Sequence, residues 1–165
     1  MAVGRTVGKF CKFQIADSAS TMRDIPVTSV GSVGLTYQEV DVTALQDAIT
    51  NVFSGQGTFS TTITGPFDTT VAVAASGTGA RPALSGSHTV LQPLNGGVVA
   101  KGFGIYLGIQ GDWATNDPVF GAAKSVLVTG YTVDPAAGTY SATISTAGNR
   151  GSDPAWGTAA IAATT

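Results

Sequence analysis

Two carboxylates, Glu39 and Asp41, stand two residues apart in Leu35-Thr-Tyr-Gln-Glu-Val-Asp41 and share one face if that segment is a strand. Paired acids are what glycoside chemistry needs, one to protonate the leaving oxygen and one to attack or to activate water. The simpler reading, preferred here, is a solvated or intersubunit polar face. His88 is the only histidine and lies in Ser85-Gly-Ser-His-Thr89, a loop composition. To act in catalysis it would need a nucleophile and an acid brought to it by the fold, and no Gly-x-Ser-x-Gly elbow surrounds any serine. One cysteine and one histidine make no soft-metal cluster, and the ten acids show no calcium-loop spacing. Gly102-Phe-Gly-Ile-Tyr-Leu-Gly108 is glycine-rich, yet it is not G-x-G-x-x-G and does not open a helix. Trp113, Trp156 and Tyr106 fit stacking platforms of a carbohydrate-binding module, or core and interface packing. The expectation is a chain that is not an enzyme, with no catalytic residue, no cofactor and no metal.

Composition bounds the partners. The net charge is −2, so the basic footprint of a nucleic-acid binder is missing. Charged residues make up 11% of the chain, against roughly 25% in a typical soluble domain. That scarcity suits either a neutral secreted domain or a subunit with much of its surface covered in an assembly. Cys11 cannot form an intramolecular disulfide and shares a strand face with Phe13 and Ile15, as a small buried hydrophobe does. The first residues hold no signal-like apolar run, and no stretch of about 18 apolar residues is present to span a membrane. Synthesis and assembly in a cytoplasm, with no membrane partner, are expected.

The elements follow from periodicity. Over residues 41–55, Leu45, Ala48, Ile49, Val52 and Phe53 recur at helical spacing. Thr43 with Gln46 fits a capping box, Asp47 adds charge near the first turn, and Gly55 fits a stop. A helix is expected there, docked by its apolar stripe. Strands are expected at 10–16, 24–30, 35–41, 58–64, 70–75 and 98–110. The clearest hairpin joins 124–133 to 139–146 through Asp134-Pro-Ala-Ala-Gly138. Residues 76–97, rich in Gly, Ser and Pro, read as a long loop or extended hairpin, and the tail from 157 reads as frayed or as an arm on a neighbour. The small residues Ala100, Gly102, Gly104 and Gly108 fall on one face of their strand, which fits bulges or close approach by another segment. The sum is an all-β chain with one short helix: a single domain over residues 1–165, an antiparallel β-sandwich or barrel flanked by an α-helix.

Asp24-Ile-Pro, the run 33–43, Ala48, Phe53-Ser-Gly55 and Phe59-Ser-Thr-Thr-Ile-Thr-Gly-Pro-Phe-Asp68 resemble, in order, the tail tube proteins of long-tailed bacteriophages. Gly121 ahead of Ser125-Val-Leu-Val-Thr129, and Gly138 ahead of Tyr140-Ser-Ala-Thr-Ile144, are similar to the carboxyl half of that family. The resemblance implies homo-hexameric rings whose inner strands merge into one barrel. The rings would stack into a tube with other tail proteins, and viral DNA would pass through the lumen without specific binding. It places the protein in the virion tail, assembled in a host cytoplasm. It makes Glu39, Asp41, Thr43, Asp47, Phe53 and His88 candidate subunit-interface residues. A capsid decoration or tail-completion protein, or a carbohydrate-binding β-sandwich module, are the alternative readings.

Overall fold

The computed structural model describes residues 10–70, 85–109 and 111–162. Strand β1 (Cys11–Ala16) pairs with β2 (Met22–Ile25), and β3 (Ser29–Val30) follows closely. β4 (Thr36–Asp41) and β5 (Val52–Thr58) form a separate two-stranded sheet. β6 (Ser60–Pro66), helix α1 (Ser87–Leu94), β7 (Lys101–Leu107), β8 (Val119–Asp134), β9 (Thr139–Thr146) and β10 (Ala155–Gly157) complete the order. The expected strand at 70–75 lies, from residue 71 on, outside the described residues.

The main sheet is antiparallel, in the order β2-β1-β7-β8-β9-β6-β3, with β10 added to β8. Its two end strands are consecutive in sequence, since β2 ends at Ile25 and β3 begins at Ser29. Four Cα steps of about 3.8 Å reach at most roughly 15 Å. A flat sheet of these seven strands would be roughly 29 Å wide at about 4.8 Å per gap. The sheet therefore curls round until its ends meet, as a barrel does. The seam is stitched at residues 26–28. Tyr140 Oη donates to the Pro26 carbonyl at 2.9 Å, and Thr28 N donates to the Thr64 carbonyl at 2.8 Å. Gly65 sits under that crossing, and a Cβ there would lie 2.4 Å from the Pro26 oxygen.

Alternation fills the interior. On β6, Thr61, Ile63 and Gly65 are the less exposed positions, and on β9 Tyr140, Ala142 and Ile144 are buried. Phe59 stacks on Phe103 with ring centroids 5.2 Å apart and meets Phe120 at 5.1 Å. Phe103 and Phe120 lie on the paired strands β7 and β8 and Phe59 just before β6, so the ring cluster joins separate parts of the sheet inside the curl. The 124–146 hairpin forms as expected. Asp134 Oδ1 accepts from the amides of Ala136 and Ala137, and Gly138 turns the chain at φ +66.

The helix is not where the sequence places it. Residues 41–55 form the end of β4, a connecting loop with one tight turn closed by Asp47 N on the Ala44 carbonyl, and the start of β5, with no helix. The single helix among the described residues is α1, inside the 76–97 region read as a loop. Val90, Leu91 and Leu94 bury its inner face, and it flanks β8 and β9. Gly86 before it and Pro93 in its last turn disguise it, since both punctuate chains more often than they fill helices.

The tail also differs. Residues 155–157 pair with 119–121, and Ile161 N donates to Tyr106 Oη at 2.9 Å. The small-residue face of β7 is approached by its own chain: a Cβ on Gly104 would meet the Tyr106 ring and one on Gly108 the 111–113 segment, while the carboxyl-terminal segment reaches Tyr106 and Gly121. A Cβ on Gly121 would lie 2.2 Å from the Phe103 carbonyl oxygen.

Phe103 is fully buried in the phenylalanine cluster. Phe103→Ala should lower the unfolding free energy by about 3–5 kcal/mol, measured by urea denaturation; a loss below about 1 kcal/mol would contradict this account of the core.

Candidate assembly surface

β4 and β5 leave the barrel as an arm. Every residue of β4 is exposed, and on β5 only Gly55 and Gly57 are partly covered. The arm nevertheless reads as a strand pair. Val40 faces Phe53 across the ladder, and the Tyr37 ring lies over Gly57, where a Cβ would come within 2.9 Å of it. Of the twelve large apolar residues exposed among those described, seven lie on this arm: Tyr37, Val40, Val42, Leu45, Ile49, Val52 and Phe53. Leu45 is 106% exposed, Ile49 74% and Phe53 69%. A two-stranded hairpin with water on both faces is marginal by itself, and an apolar patch of this kind marks an interaction surface.

The residues read as a helix cap close the tip of this arm instead. Asp41 Oδ1 accepts from Thr43 N at 2.9 Å and from Thr43 Oγ1 at 2.6 Å. Asn51 N donates to Thr43 Oγ1 at 2.8 Å. Asp47 Oδ2 accepts from Ala44 N at 2.8 Å and from Asn51 Nδ2 at 2.9 Å. Short polar side chains here satisfy local backbone groups in a turn, the alternative that competes with helix. The same Asp-x-Thr turn recurs at Asp68 and Thr70. The side-chain hydroxyl of Thr43, then its amide, hold the Asp41 carboxyl below its usual value of 3.8.

Five of the six residues expected at an interface thus lie together, Glu39, Asp41 and Phe53 on the strands and Thr43 and Asp47 in the tip. His88 stands on a different element, α1. Its ring packs between Phe67 and Tyr131, at 5.0 and 5.7 Å, and its Nδ1 lies 3.1 Å from Tyr131 Oη. Sequence reasoning missed Leu45 and Ile49 as exposed residues because it assigned them to a docked helical stripe. Between Arg23 and Arg81 the chain has no Lys or Arg, so the arm carries acids only.

A cleft of about 510 Å³ opens at the base of the arm, lined by Tyr37, Gly57, Phe120, Arg150, Asp153 and Trp156. Arg150 Nε donates to Asp153 across its rim. Trp156 packs one side on Phe120 at 5.1 Å and is 53% exposed. Of the other candidate platforms, Tyr106 is buried, and Trp113 packs edge-on against it while donating to the Asp117 carbonyl. Among the described residues no group of three or more His, Cys, Asp or Glu is placed to hold a metal, and no helix is long and apolar enough to cross a membrane.

Neither a protein-family profile nor a curated protein matches the chain. Solved structures do. A chain of the sheath-tube complex of an extracellular contractile injection system (PVC), in the extended state, is 14% identical, with a TM-score of 0.50 over 96% of this chain and 95% of that one. A chain of the sheath/tube terminator of an extracellular contractile injection system (PVC) is 14% identical, with a TM-score of 0.45 over 88% and 93%. A chain of the anti-feeding prophage cap, which terminates the tube, is 14% identical, with a TM-score of 0.47 over 96% and 95%. The first of these likenesses shows a fold shared along nearly the whole chain.

Leu45→Asp with Ile49→Asp should leave the dilute monomer's unfolding free energy within about 0.5 kcal/mol of the parent, since neither side chain is buried in it. A large loss would place the tip against the barrel. The depressed Asp41 carboxyl predicts a pH effect. Its contribution is fully present above pH 3.8 and is lost as pH falls through the lower folded value. Thr43 amide exchange should lose protection on acidification in that window, and Asp41→Asn should abolish the dependence. The same acid response in both proteins would reject it.

Proposed function

We propose that the protein is the structural subunit of a tail tube, with six copies to a ring and rings stacked around a lumen that conducts viral DNA during ejection. The observation that carries this reading is the arm: a folded barrel extends a hairpin whose apolar residues are left exposed by the described residues. The fold shared with a chain of a sheath-tube complex supports the same reading. A single fold repeated by self-association needs an adhesive element of this kind on every copy. The chain's role is structural and not enzymatic, and its partners are further copies of itself and other tail proteins. It works in the virion tail after assembly in the host cytoplasm. DNA passes without specific binding, which a chain of net charge −2 favours.

Negative-stain electron microscopy of the concentrated, purified protein tests this. Hollow tubes or stacked rings, six-fold in end view, are the expected result. Monodisperse single copies at every concentration, with and without other tail components, would overturn it.

A further inference from the structure

Off the arm, the two most exposed large apolar side chains among the described residues are adjacent, Val98 at 77% and Val99 at 56%. They follow α1 and border a groove of about 190 Å³ with Leu94, Leu127 and Val128 along it. Lys101 lines the same groove. Its Nζ donates only to the Ser18 carbonyl, at 3.4 Å, and it has no acid partner among the described residues. Exposed aliphatic side chains beside an unpaired cation form a surface for an apolar segment that carries acid.

The tip of the arm is such a segment. Leu45 and Ile49 are its most exposed apolar residues, and the whole arm carries Glu39, Asp41 and Asp47 with no cation. Asp47 uses Oδ2 for both its internal bonds, which leaves Oδ1 for a further donor. We propose that the arm tip of one copy seats in the α1–β8 groove of a second copy, with Leu45 and Ile49 against Val98 and Val99 and Asp47 paired with Lys101. The cleft at the base of the arm is the competing receptor. Its cation, Arg150, is already bridged to Asp153, so it offers an acidic tip less. The inference rests on the tube-subunit reading and names the surface through which copies join.

Disulfide trapping in a Cys11→Ser background tests it. Leu45→Cys protein is mixed with Val98→Cys protein, oxidised under assembly conditions and run on a non-reducing gel. The mixture should give a cross-linked dimer that neither protein gives alone. A dimer formed with Trp156→Cys and not with Val98→Cys would overturn the groove and leave the tube reading standing, as would intact tubes with no cross-link. Absence of both tubes and cross-link would overturn both. Charge exchange supplies the second readout. Asp47→Lys and Lys101→Asp should each weaken self-association, and the two combined in one chain should restore it. Val98→Asp should weaken it roughly tenfold or more. Equal loss in the single and combined charge variants would reject the pairing.

Discussion

The crossing at Pro26 is the constraint on which the molecule depends. By carrying the chain from one end of the sheet to the other within a few residues, it forces the sheet to curl and brings both end strands into one seam. The phenylalanine cluster sits inside that curl, and Tyr140 reaches across it to hold the crossing carbonyl. Closure also limits the unpaired strand edge through which β-proteins otherwise adhere, because β2 and β3 are only four and two residues long. A partner surface must then lie on what the barrel leaves outside itself, and the arm is the largest such element among the described residues.

The arm explains the unusual composition. A chain with so few charges meets water over the barrel with many Thr, Ser and Gly positions, and the arm concentrates exposed apolar side chains with three acids. A monomer that keeps such a hairpin in water gains little from it. A second surface laid over it would remove those apolar side chains from water.

Much of the barrel was legible in the sequence, because its strands alternate. Ile63, Tyr140, Ala142 and Ile144 announce their faces by period two, and Asp134 with Gly138 announce the turn. The class of fold followed from those elements. The helix did not, and for a physical reason. Leu45, Ala48, Ile49, Val52 and Phe53 have helical spacing, yet Asp41, Thr43, Asp47 and Asn51 bond one another and the local backbone in a turn. Periodicity shows which residues could share a face and says nothing of whether the chain supplies a surface to meet it. The Asp-x-Thr turn, repeated at Asp68 and Thr70, was the available signal against a helix start. In α1 the error runs the other way: eight residues between Gly86 and a terminal Pro93 offer too short a pattern to outweigh their punctuation. The acids and Phe53, read from periodicity as parts of a helix, stand instead on the strands and tip of the arm.

The most direct test of the central claim, that the arm is an adhesive element separate from the barrel, is amide hydrogen exchange followed residue by residue in the dilute monomer and in the assembled state. The account predicts fast exchange at β4 and β5 and slow exchange at β8 and β9 in the monomer, with strong protection of the arm appearing only on assembly. Arm amides already as protected as the barrel in the monomer, or still unprotected after assembly, would contradict it.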